Sequence, residues 1–268
     1  MTLAADFAWD CLNDQRYEEA LDIFERLLDL EVSAVPDDFD FLGLEELNGE
    51  NITNLDMTRL ALSVLYADYQ LTKPEERAES LYSYFIYSIF RDIHVEDILR
   101  MGREELDGLD RFWEDWIALL ETKAEQTATR LLREAALYYG GTEGLARIAA
   151  RNFHSHPSIA CSVMEEYQKI HAYQEMLRFA ETAMKEMGAG TGGRGEIAQK
   201  AAFAASCENM PEETRRYCCE AFCDLYDVKT FLRTGLNLFL LYLYQGKMPA
   251  KAIGAIPSGR WRLIFPVC

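Results

Sequence analysis

Apolar side chains recur at intervals of three and four along most of the chain. Ala78, Leu81, Tyr82, Phe85, Ile86, Ile89 and Phe90 form one such set. Leu109, Phe112, Trp113, Trp116, Ile117 and Leu120 form a second, and Ala128, Leu131, Leu132 and Ala135 a third. That period places each set on one face of an α-helix. No segment sustains the period-two alternation of a half-buried strand. The punctuation agrees. Pro74, Pro157 and Pro211 open periodic runs, where a missing N–H costs little. Thr72 to Glu75 and Asn209 to Glu212 have capping-box spacing. Gly140 and Gly188 follow periodic runs, as a helix C-cap glycine does. The pattern predicts helices over 3–13, 17–31, 54–71, 74–91, 94–101, 108–121, 124–139, 142–153, 157–170, 173–187, 194–208, 211–226 and 229–244. It adds a short helical turn near Leu42–Leu47. Short links between successive helices make them antiparallel neighbours, so the expected fold class is all-α.

Composition strengthens the helical reading: 33 Leu and 30 Ala stand against 7 Val. The 268 residues carry a formal charge of −18, unevenly distributed. Residues 1–56 hold 16 acids and 2 bases, whereas 228–268 hold 6 bases and no acid. An acidic chain lacks the cationic footprint that nucleic acid or an anionic membrane demands. The longest apolar run, Leu238 to Tyr244, falls far short of the roughly 20 residues of a membrane span. The start lacks the basic and apolar regions of a secretory signal, and seven irregularly spaced cysteines suit free thiols. The expected location is therefore cytoplasmic.

Enzymatic and metal motifs are sparse. Gly188, Gly190 and Gly193 match G-x-G-x-x-G, but a helix precedes them where a dinucleotide fold needs a strand, so a flexible linker is expected. Cys218, Cys219 and Cys223, with Cys207 upstream, are expected as core thiols. His154 and His156 sit in a helix junction without the partners of a metal site. Asp37, Asp38 and Asp40 resemble the magnesium motif of all-helical isoprenoid synthases, with Phe41 where that motif has aspartate. Neither a nucleophile elbow nor a Walker loop is present. The clusters Tyr82, Tyr84, Phe85, Tyr87 and Phe112, Trp113, Trp116 are expected as inter-helix core, with Tyr84 and Tyr87 nearer the surface. No cofactor and no metal are expected.

One helix pair carries a resemblance. Tyr17, Ala20, Phe24 and Leu27 fill the places of the second helix of a tetratricopeptide repeat (TPR). Phe7, Ala8 and Cys11 stand where the first helix usually has Leu, Gly and Tyr. Tyr173 to Met184 is a weaker copy, with Met176 in place of the small residue. The helices over 194–208 and 211–226 keep the hairpin lengths only. A looser likeness joins the chain to the helical region of bacterial SWIM zinc-finger proteins, whose Cys-x-Cys and Cys-x-His pattern is absent here.

The TPR resemblance implies a right-handed α-solenoid of antiparallel helix hairpins that binds a protein or peptide in a concave groove. Carried onto this sequence, the groove positions of the first repeat are Asp6, Trp9 and Asn13. An acidic groove suits a basic partner. The expected organisation is a TPR-like domain over 1–234, with an irregular acidic loop at 31–53 and a Gly-rich hinge at 188–195. Residues 235–268 follow as a basic, apolar C-terminal segment. The leading function is a non-enzymatic interaction scaffold. The alternatives are a truncated or accessory domain of a larger system, and a metal-dependent enzyme on Asp37 and Asp38.

Overall fold

The computed structural model describes residues 1–33, 41–49, 51–101 and 106–225. Their regular structure is helical apart from one antiparallel ladder in which Val32 pairs with Leu42 and Ser33 with Phe41. The predicted helix over 229–244, the basic segment 235–268 and the Asp37–Asp38 carboxylates lie outside the described residues. The chain divides into two compact units, Met1–Val163 and Met164–Cys268.

The first unit opens with the hairpin α1 (Thr2–Asn13) and α2 (Tyr17–Leu28). Ala8 and Ala20 are fully buried there, and the lack of bulk at both lets the helices approach. The ladder β1 (Val32–Ser33) and β2 (Phe41–Leu42) and the short α3 (Leu44–Gly49) follow. Next comes α4 (Met57–Leu71), capped by Asp56, whose Oδ1 accepts the Arg59 N–H at 2.9 Å. Every residue from Leu60 to Tyr69 is buried. A helix apolar on nearly all sides must be covered on all sides. Accordingly α1, α2, α5 (Arg77–Tyr84) and two 3₁₀ turns, Ser88–Phe90 and Val95–Arg100, all pack against α4.

The predicted helix over 74–91 is broken. It starts at Arg77 and stops at Tyr84, before Phe85-Ile86-Tyr87-Ser88-Ile89-Phe90. Aromatic and β-branched residues lose rotamer freedom in a helix. Here Phe90 instead turns back onto the Phe85 and Tyr84 rings, at 6.2 and 5.4 Å. Ile86, placed on the apolar stripe by spacing, is exposed in consequence.

Two further helices, α6 (Leu109–Glu121) and α7 (Gln126–Arg151), pack together behind this layer. The two helices expected over 124–139 and 142–153 are the halves of α7. The break falls at Gly141, with φ 60° and ψ −163°, one residue past the predicted cap. That conformation is essentially restricted to glycine.

The second unit holds the end of α8 (Pro157–Lys169), then α9 (Tyr173–Glu186), α10 (Arg194–Cys207) and α11 (Pro211–Leu225). Helix α10 packs against both α9 and α11. Two faces are therefore covered, and small residues fill them: Ala198, Ala201, Ala202, Ala204 and Ala205 are all buried. Gly195 is so close to α11 that a Cβ there would lie 2.5 Å from Leu225 Cγ.

Candidate partner-binding face

Helix α1 divides into two arcs. Ala5, Ala8, Cys11 and Leu12 form the buried one, against α2 and α4. Trp9 sits at its margin and is only 8% exposed. Its indole N–H donates to Ser63 Oγ at 3.1 Å, the Arg59 guanidinium lies 4.1 Å from the ring centre, and the Phe24 ring is 6.4 Å away. Trp9 is thus occupied by α1–α4 packing, because α4 crosses over the position that the repeat resemblance assigns to a groove. Asp6 and Asn13, the other two predicted groove residues, are exposed.

The outward arc carries residues that the repeat pattern did not single out. Leu3 is 86% exposed and Phe7, four residues on, is 50% exposed. Asp6, Asp10 and Asp14 are exposed on the same helix or its cap, and Glu18, Glu19 and Asp22 are exposed on α2. The Arg16 guanidinium lies 5.6 Å over the Phe7 ring while pairing with Glu19 at 3.0 Å. The face therefore already holds one cation by a ring and a carboxylate together. Phe7 stands where the repeat usually has Leu, yet it lies on the outward arc. The angular offset of Leu3 and Phe7 from the Ala5–Ala8–Leu12 stripe is the signal that separates them.

A buried polar group lies deeper in the same unit. Asp68 Oδ1 accepts the Ser80 and Thr72 hydroxyls at 2.9 and 3.2 Å, while Oδ2 has no partner among the described residues. Burial raises the Asp68 carboxyl above its ordinary value, against those two hydrogen bonds, and the Glu25 charge adds to the rise. The Tyr84 hydroxyl donates to Glu25 Oε1 at 2.9 Å, and burial with the Asp68 and Glu25 charges drives that phenol up strongly. The folded state thus holds the Asp68 proton more tightly than the unfolded chain does. This contribution to stability is present at acid pH and is lost as pH rises from about 4 through the raised folded value. Asp68→Asn has no proton to lose, so its stability relative to the parent is expected to rise with pH above about 4. Urea unfolding across that range checks this, and a relative stability independent of pH would contradict it.

The cavity lined by Val95, Glu96, Trp113, Trp116, Leu131, Glu134 and Ala135 has about 10 Å³ of free space, enough for one water-sized molecule. Its Glu134 pairs with Arg130 at 3.0 Å and with His94 Nδ1 at 3.3 Å. Among the described residues, no group of three or more His, Cys, Asp or Glu side chains is placed to hold a metal ion. His156 is buried with Nδ1 2.7 Å from Thr129 Oγ1.

The cysteines divide. Cys11, Cys161 and Cys218 are buried, and burial, with the Cys219 charge, pushes the Cys218 thiol up to about 11. Cys207, Cys219 and Cys223 are exposed, contrary to the expectation of core thiols: Cys207 ends α10, and Cys219 and Cys223 lie on the side of α11 away from its buried residues Thr214, Tyr217, Cys218 and Ala221. The glycine-rich stretch is anchored. The Gly190 N–H donates to Asp224 Oδ1 at 3.1 Å, and Arg194 pairs with Asp224 and Glu220. A carboxylate faces this backbone where a nucleotide fold would bring a phosphate.

Compared with protein-family models, with curated proteins and with solved structures, the chain matches none. No helix among the described residues is long and apolar enough to cross a membrane.

Proposed function

We propose that this chain is a non-enzymatic interaction scaffold that binds a basic protein segment on the outward face of α1. The observation that carries the reading is the exposed Leu3–Phe7 pair bordered by Asp6, Asp10 and Asp14. Two apolar side chains one helical turn apart, left in water, form the anchor of a helix-in-groove or peptide contact. The surrounding carboxylates set the sign of the partner, and the formal charge of −18 steers a cation toward the whole chain. Within this reading the α1–α2 pair is a TPR-like hairpin, the hairpins stack as a right-handed solenoid, and the protein works in the reducing cytoplasm.

Capture from the native lysate tests the reading when three baits are compared. The parent is expected to retain a stoichiometric protein that is released by about 0.5 M salt, where exposed attraction is screened. Leu3→Ser/Phe7→Ser and Asp6→Asn/Asp10→Asn/Asp14→Asn are each expected to lose it. An anchor of this kind is worth about 2 kcal/mol, roughly thirtyfold in affinity. Equal retention by all three baits would contradict the proposal.

A further inference from the structure

A cation of the chain itself sits on the outward face of α1. The turn between α1 and α2 puts it there. Gln15 adopts φ 61°, its N–H donates to Leu12 O at 3.2 Å, and the Arg16 N–H donates to Cys11 O at 2.9 Å. This pair of bonds is a Schellman closure of α1, and it fixes the Arg16 backbone while leaving its side chain at the surface. The guanidinium centre lies 5.6 Å over the Phe7 ring. The same group pairs with Glu19 Oε2 at 3.0 Å and approaches Asp14 Oδ2 at 3.9 Å. Asp14, Arg16 and Glu19 are all exposed, as is Phe7. Solvated ion pairs and ring contacts are each weak, so the Arg16 side chain is held loosely enough to be exchanged. The seat also discriminates between cations. A planar guanidinium lies on a ring and presents N–H groups to a carboxylate at the same time, whereas an ammonium is a compact, strongly hydrated point charge.

We infer that Arg16 is an intrachain stand-in for an arginine of the basic partner, which displaces it from Phe7 on binding; this rests on the proposed α1 face. Phe7, Glu19 and Asp14 then hold the incoming guanidinium as they hold Arg16, and Leu3, one turn away, takes an apolar neighbour of that arginine. With Arg16 in place, the incoming arginine exchanges one contact for another of the same kind. Without Arg16 the ring is bare and the carboxylates are unpaired, so the same arginine adds its contact in full. Arg16 therefore weakens binding, and the ring selects arginine over lysine.

Fluorescence anisotropy of the full chain with two labelled peptides tests this. One is built of leucine and arginine, the other of leucine and lysine in the same order. The parent is expected to bind the arginine peptide about threefold tighter, the size of an exposed cation–ring contact. Arg16→Gln is expected to tighten the arginine peptide by a further threefold or so. Arg111→Gln makes the same change of charge on α6, where Arg111 pairs with Asp115 at 3.5 Å, and is expected to stay near the parent. Phe7→Leu keeps an apolar side chain without the ring and is expected to erase the preference for arginine. The stand-in role is overturned if Arg16→Gln binds no tighter than Arg111→Gln. The arginine seat is overturned if the parent binds both peptides equally, or if Phe7→Leu keeps the preference; the α1 face still stands if Leu3→Ser/Phe7→Ser weakens both peptides. Parent binding that is absent, or indifferent to Leu3→Ser/Phe7→Ser, overturns the face and the seat together.

Discussion

Trp116→Ala is expected to destabilise the first unit by about 3–5 kcal/mol, the usual cost of truncating a fully buried aromatic side chain. Trp116 is 0% exposed and sits where α5 and α6 meet. Phe112 stacks on it at 5.8 Å, and Tyr82 and Phe85 approach at 6.1 and 6.2 Å. Phe112 in turn meets Tyr69 of α4 at 5.2 Å, and Phe85 meets Phe90 of the first 3₁₀ turn. One side chain therefore joins the layers around α4, and its removal opens a cavity that three elements cannot close together. Trp116→Phe should cost far less. The indole N–H is buried without an acceptor among the described residues, and phenylalanine removes that unmet donor along with part of the ring. Thermal unfolding followed by near-ultraviolet circular dichroism separates the two variants. Equal losses would show that the ring stack does not organise this core.

The second unit depends on a charge cluster. Asp224→Ala is expected to cost about 3 kcal/mol, at the lower end for breaking a buried pair, because Glu220 still holds Arg194 at 2.8 Å. The Asp224 and Arg194 side chains are only 5% and 13% exposed. Asp224 also accepts the Gly190 N–H, so the substitution frees the glycine-rich segment from α11 as well. The paired change Arg194→Met/Asp224→Leu removes both members of the buried pair, leaves only the part-exposed Glu220 without its partner, and should recover most of the loss. Urea unfolding measures both, and a loss under about 0.5 kcal/mol for Asp224→Ala would mean the pair is effectively solvated.

These two sites show what a linear pattern reveals and what it hides. Periodicity located nearly every helix, since burial of one face leaves a 3.6-residue trace that Leu109 to Leu120 display plainly. It misjudged 74–91, where Phe85 and Phe90 are both core but belong to different elements. It set the α7 break one residue early, because Gly140 and Gly141 are equivalent as letters and only backbone angles distinguish them. Glycine content at 188–195 carries no sign of Asp224, some thirty residues away, which accepts the Gly190 N–H. Long-range partners leave no local signal. The same limit governs the proposed binding face. Asp6 and Asn13 are exposed, whereas Trp9 is closed by Ser63 and Arg59, more than forty residues downstream. Leu3 and Phe7 have the composition of core and the position of surface.

The most direct test of the central claim is site-specific photo-crosslinking in the native cells. A photoreactive phenylalanine analogue is placed at Phe7, with Ile86, exposed outside α1, as the control position. The account predicts a discrete heteromeric adduct from position 7 that is absent from position 86. Asp6→Asn/Asp10→Asn/Asp14→Asn should abolish it, and its partner peptide should be rich in Lys and Arg. No adduct at position 7, or one that survives loss of the three carboxylates, would contradict the assignment of this face to a basic partner.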